Sequence, residues 1–221
     1  MRIISLKTIM VLLLTAVFIA PAIAAQVRQL GWQDLIKKVE FEDPFVALTT
    51  DQLSDLGLVA RVRQLQAMGR KVGEGTLKEA EESARRLEKA EIDIDGLLAR
   101  RAEIRELRRQ RAHAVVEDLN GEQIRMPGYA LPLEFSGNKI TEFLLVPWVG
   151  ACIHTPPPPA NQIVYVKLDK GIKNAGQFTP VWVTGEMTVK ASTKNLYLVD
   201  GSSGIDVGYS LEASQVEPYK K

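Results

Sequence analysis

A change of hydrophobic period near the middle of the chain limits its folding choices more than any other feature. From Thr49 to about Glu117 apolar residues return every three or four positions, and from Gly121 onward they alternate every second position. The first spacing lays side chains along one stripe of an α-helix, the second along one face of a β-strand. The expected class is therefore α+β, an N-terminal helical hairpin or arm followed by a small β domain.

Within the helical half, Thr50 before Asp51 reads as an N-cap, and Leu53, Leu56, Val59, Val62 and Leu65 recur at helical spacing. Gly69, Gly73 and Gly75 interrupt that helix, and Thr76 is expected to cap a second one carrying Leu77, Ala80, Ala84 and Leu87. Glu81/Arg85 and Glu82/Arg86 stand in the favourable i,i+4 order for local ion pairs. Ile92 to Gly96 reads as a connector, with an aspartate capping a third helix that carries Leu97, Leu98, Ile104 and Leu107. Arg100, Arg101, Arg105, Arg108, Arg109 and Arg111 make this helix basic against only Glu103 and Glu106. Two readings stand. One is a patch for an anionic lipid or an acidic protein partner, with Arg101, Arg105 and Arg108 as contact residues. The other is a solvated face whose cations suit a helix C-terminus.

The β half divides into five strands. Glu122 to Leu133 forms the first, bent near Pro127-Gly128, and Thr141 to Val146 is apolar enough to be buried on both faces. Ile163 to Leu168 puts Val164, Val166 and Leu168 on one side. Val181, Val183, Met187 and Val189 alternate with Trp182, Thr184, Glu186 and Thr188, with a bulge expected at Gly185. Ile205, Val207, Tyr209 and Leu211 mark the last strand, after a turn at Gly201-Ser202-Ser203-Gly204. Five short strands in about 100 residues suggest a small antiparallel β-barrel or sandwich, and the bent, glycine-containing first strand with the insertion between the third and fourth leans towards an OB-like barrel. The resulting domains are 1–24, 25–48, 49–117 and 118–221.

Residues 1–24 read as a cleavable signal peptide: Arg2 and Lys7, an apolar run from Ile9 to Ile19, Pro21, then Ala22-Ile23-Ala24. The run is shorter than the ~20 residues that span a bilayer. The expected localisation is periplasmic, with no transmembrane segment in the mature chain. No cysteine follows the leader at a lipidation position. A lone cysteine, Cys152, cannot close an internal disulfide, so the core alone must hold the fold. With 46% hydrophobic and 25% charged residues the balance is globular, and a net charge of +1 argues against binding nucleic acid.

The stretch Gly150-Ala151-Cys152-Ile153-His154-Thr155 runs into Pro156, Pro157, Pro158 and Pro159, then Ala160-Asn161-Gln162. Four successive prolines favour extended polyproline II, either fixing the path of a loop or docking on an aromatic-lined groove. This segment, with Met126 to Glu134, Glu142 to Pro147 and Pro180 to Gly185, resembles a bacterial family called domain of unknown function 3299. The resemblance covers the last hundred residues well and the helical region loosely. It implies exported proteins or lipoproteins, often encoded beside ABC-transporter components and some in zinc-responsive settings. It brings no activity and no catalytic residue.

Were the segment extended, Cys152 and His154 would share a face and could hold one zinc or copper ion. Two ligands are too few for a structural zinc site, so carboxylates such as Glu142 or Glu134, or a partner, would have to complete it. As a nucleophile and base the pair is awkward, because alternate Cα atoms on a strand lie ~6.5–7 Å apart. The bland alternative is a buried thiol beside a histidine bonded to a carbonyl. No P-loop, H-E-x-x-H, G-x-S-x-G or paired-cysteine motif occurs. Trp148, adjoining the Cys-His segment, is positioned to wall a pocket.

These readings add up to a non-catalytic binding or accessory protein of the envelope that serves a protein partner, such as an ABC-type permease complex. The alternative is metal handling by Cys152 and His154, with zinc the first candidate, and a distant third is a thiol-dependent enzyme.

Overall fold

The computed structural model describes residues 26–173, 176–198 and 201–219; the expected signal peptide lies outside them. Helices α1 (Thr50–Ala67), α2 (Glu74–Lys89) and α3 (Ile94–His113) are followed by strands, and a two-residue strand β1 (Arg28–Gln29) precedes them. The long strands are β2 (Gln123–Ser136), β3 (Lys139–Val146), β4 (Val164–Lys173), β5 (Thr179–Leu198) and β6 (Gly201–Pro218). Mixed α and β structure is thus present as expected, with three helices rather than a simple hairpin. None of the described helices is long and apolar enough to cross a membrane.

Two helix starts differ from expectation. Thr49, not Thr50, caps α1: its hydroxyl accepts from Gln52 N while the Gln52 side chain accepts from Thr49 N, a reciprocal capping box. α2 begins at Glu74 after an extended Gly73, so Gly75 and Thr76 lie inside its first turn. Asp93 caps α3 by accepting from Gly96 N at 2.9 Å. Leu56 and Val59 of α1, Leu87 of α2 and Ile94 of α3 form a small core of their own. Arg86 does not take Glu82 as its partner. It reaches across to Asp55 of α1 in a two-pronged contact (2.9 and 2.6 Å), which Ser83 joins, and the guanidinium holds the Asp55 carboxyl below the usual carboxylate range.

In the sheet, pairing runs β1-β2-β3-β4-β6-β5, and β2 also pairs with β5, so five strands form a closed circuit. Most neighbours are antiparallel, but β4 and β6 run parallel, as do β1 and β2. The expectation of a wholly antiparallel sheet is corrected there; the connection through β5 brings β6 alongside β4 in the same direction. Inside the circuit lie Ile124, Met126, Phe143, Leu145, Val164, Val166, Val183, Met187, Tyr209 and Leu211. The opposite faces of β3 and β4 also carry apolar residues, Leu144, Val146, Ile163 and Tyr165. These form a second cluster with Ala151, Cys152, Leu196, Ile205 and Val207. β3 is therefore buried on both faces, as its unbroken apolar run requires.

Gly185 sits at a register shift between β5 and β6, where an added Cβ would come within 2.2 Å of Glu212 O. The expected bulge is present, and glycine is needed for the close approach. Gly201 to Gly204 is strand rather than turn, paired from Leu198↔Gly201 to Asn195↔Gly204.

Candidate functional site

Three prolines that sit beside aromatic residues in the sequence meet at one end of the sheet. Pro127 and Tyr129 lie on β2, Pro180 opposite Tyr129 on β5, and Pro147 just beyond β3. Trp32, in a short 3-10 turn, and Tyr219, after β6, complete the lining of a cavity of about 290 Å³. Gly128 makes the arrangement possible: a Cβ there would stand 2.8 Å from Trp32 Cζ2 and 2.7 Å from Leu145 Cγ. Tyr219 is fixed by its own N–H, which donates to Pro180 O at 3.0 Å, and by stacking on Trp182 with centroids 5.6 Å apart. The Arg125 guanidinium covers the Trp182 ring at 4.2 Å and reaches Glu217 at 3.3 Å.

Among the described residues, no ionisable side chain other than the tyrosines lines this cavity. Such a surface binds by stacking and by burying apolar area; a proline-bearing or aromatic segment suits it, since its walls are rigid rings. Trp148, which follows Pro147, is 43% exposed, and Val149 is 60% exposed. Trp148 is oriented by its indole N–H, which donates to Thr155 Oγ1 at 3.3 Å.

The Cys-His segment is not extended. Gly150 O accepts from the N–H groups of Ile153, His154 and Thr155, making a tight turn in which Cys152 has a left-handed φ of 68°. Cys152 is buried in the second apolar cluster while His154 is exposed, so the shared strand face expected from i,i+2 spacing does not form. Burial pushes the Cys152 thiol up to about 11, which keeps it protonated and a poor nucleophile near neutral pH. Among the described residues no three of His, Cys, Asp and Glu gather where they could hold a metal ion, Glu134 and Glu142 included.

The proline run is only partly available. Pro156, Pro157 and Pro159 are exposed, and Pro158 is buried. The residues after it anchor the loop to the helices. Asn161 Nδ2 donates to Arg111 O (2.9 Å) and Ala114 O (2.8 Å), and Gln162 Nε2 donates to Trp32 O (2.8 Å). The Asn-Gln pair thus ties the end of α3 and the Trp32 turn to the sheet.

Of the three arginines expected to meet a partner, Arg108 is engaged within the chain. It grips Asp43 through two hydrogen bonds of 2.6 and 2.9 Å and lies over Phe45 at 5.6 Å. Arg101 and Arg105 are exposed and form no ion pair among the described residues. Sequence reasoning placed Trp32 only as an anchor and missed Tyr129, Pro180 and Tyr219. The available signal was the recurrence of proline within two residues of an aromatic at Pro127/Tyr129, Pro147/Trp148 and Pro180/Trp182.

Comparison with solved structures finds a crystal structure of a DUF3299 family protein from Pseudomonas aeruginosa PAO1. It is 29% identical, over 88% of this chain and 97% of that one, with a TM-score of 0.46. No curated protein matches. The model of the family described as "Protein of unknown function (DUF3299)" matches residues 32–218, a span that takes in the Trp32 turn, all three helices and the five long strands, and the chain belongs to that family.

Proposed function

We propose that this chain is an exported, non-catalytic binding module of the cell envelope, built on an OB-like β-barrel and serving a protein partner. The observation that carries the reading is the cavity walled by Trp32, Pro127, Tyr129, Pro147, Pro180 and Tyr219, beside the exposed Trp148 and Val149. An apolar surface walled, among the described residues, by aromatic and proline rings favours recognition. The closed circuit of strands with β4 parallel to β6 supports the barrel topology. The amino-terminal leader supports export to the periplasm, and the family resemblance suggests an ABC-type permease complex as the partner.

The test is cross-linking in intact envelopes followed by purification of the full chain, wild type beside a Trp148→Ala, Tyr219→Ala double variant. One envelope protein should be recovered in fixed ratio with wild type and fall at least about tenfold with the variant. Equal recovery with both, or no stoichiometric partner at all, would end the proposal.

A further inference from the structure

A second surface lies on the helices, away from the aromatic cavity. Two adjoining hollows of about 150 and 240 Å³ both touch Phe45 and Arg101. Leu53, Leu56, Gly57 and Ala60 of α1 wall the first together with Leu98, and Ile104, Arg105 and Arg108 of α3 bound the second. The spacing along α1 is that of one helical ridge, and Gly57 leaves it low: a Cβ there would meet nothing within 4 Å. Leu53 remains 42% exposed. From Leu98 to Arg108 the groove follows α3 for about 15 Å, or some three turns.

The cations on α3 differ in their counter-ions. Arg100 has Glu103 at 3.8 Å, and Arg109 has Glu106 at 2.6 Å, so those arginines carry their own counter-ions. Arg108 is held by Asp43. Arg101 and Arg105, at the groove, have no such carboxylate among the described residues, and as like charges one turn apart they disfavour the helix. An apolar floor edged by two cations in this geometry is complementary to one kind of ligand.

We propose that the groove between α1 and α3 receives an acidic amphipathic helix of a partner protein. Its apolar ridge enters the two hollows on either side of Phe45, and two carboxylates one turn apart meet Arg101 and Arg105. A row of separate side chains suits successive hollows, whereas a single acyl chain suits one continuous channel. The proposal does not depend on the aromatic cavity, and its test leaves Trp148 and Tyr219 in place.

The probe is a synthetic helical peptide of about 18 residues, with leucine along one ridge and glutamate flanking it. Binding to the full chain is read by fluorescence anisotropy at low and moderate salt. The glutamate peptide should bind, weaken as salt rises, and lose at least about tenfold in affinity for Arg101→Glu, Arg105→Glu. Arg100→Glu, at a residue that has Glu103 at 3.8 Å and does not line the hollows, should stay within about twofold, and circular dichroism should show each variant folded. Equal binding of a peptide with lysine in place of glutamate would overturn the proposal, as would an unaffected double variant or no binding. Binding only to vesicles of phosphatidylglycerol and phosphatidylethanolamine would assign the patch to the membrane surface instead.

Discussion

Tyr209 on β6 donates its phenolic proton to Leu35 O at 2.7 Å, joining two residues 174 positions apart. The Tyr209 hydroxyl oxygen in turn accepts from Val116 N at 2.8 Å. One fully buried side chain thus fastens both the amino-terminal segment and the exit from α3 to the interior of the sheet. Tyr209→Phe keeps the ring and leaves a buried carbonyl and an N–H without their partner. We expect a loss of about 1–3 kcal/mol in urea unfolding, with hydrogen exchange rising first at Val116. Unchanged stability would show that the hydroxyl does not fasten these segments.

Gly128→Ala tests the wall of the aromatic cavity. The new methyl meets Leu145 and Trp32 at distances real Cβ contacts do not show, and Leu145 is wholly buried. The Trp32 ring should be displaced, its fluorescence shifting to the red as it gains water, at a cost of about 1–3 kcal/mol. An unshifted emission with native stability would place the ring elsewhere.

These two residues also show how much could be read in advance. Alternation identified the inward face of β6, so Tyr209 was legible as a core or rim aromatic, but its bonds to Leu35 and Val116 were not, because periodicity gives a face and not a partner. The same limit explains the parallel β4–β6 pairing. The bulge at Gly185 was legible because glycine broke an otherwise regular strand. The capping box at Thr49-Thr50-Asp51-Gln52 was present in the sequence and overlooked by one residue. Cys152 and His154 were misplaced for a different reason: Gly150 O collects three N–H groups and turns the chain, and no residue preference of cysteine announces a left-handed φ. Arg86 left Glu82 for Asp55 because a two-pronged contact across helices outcompetes an exposed local pair.

Burial of Cys152 gives a pH signature. Its thiol is raised from 9.0 to about 11 in the fold by desolvation, so the unfolded chain releases that proton first. The contribution to stability is whole below pH 9 and is lost as pH rises through about 11. Cys152→Ala should flatten the unfolding midpoint against pH across that window relative to wild type. Native protein should also react with iodoacetamide at least about a hundredfold slower than urea-unfolded protein at pH 8. Rapid native labelling would contradict the buried thiol.

Asp43 offers the opposite sign. Arg108 holds its carboxyl below the usual carboxylate range, chiefly through the paired hydrogen bonds, so this contribution is present above the unfolded value of 3.8 and fades as pH falls through the lower folded one. Asp43→Asn removes the charge while keeping a polar group that can still cap the turn at Phe45 N. On the order of 1 kcal/mol should be lost at neutral pH, and the acid limb of the stability profile should become shallower. A matched loss in Arg108→Ala, without further loss in the double variant, would assign the effect to the pair. Additive losses would instead separate the two residues.

Asn161 carries the sharpest consequence for the joint between helices and sheet. Its amide nitrogen is the donor to Arg111 O and Ala114 O, so it serves carbonyls that the end of α3 leaves without helical partners. Asn161→Asp preserves size but replaces that donor with a carboxylate facing two carbonyl oxygens, in a residue only 3% exposed. Loss of two hydrogen bonds and the placement of a charge there should cost about 3 kcal/mol or more. The damage should be local at first: hydrogen exchange at the end of α3 should rise before that of β3, whose residues lie in the two sheet clusters. Because protonation of the new aspartate restores one donor, stability should partly recover as pH is lowered towards 4, a range in which the Asp43 contribution is still present. A variant as stable as wild type across that range would show that the helices do not depend on this side chain for their attachment.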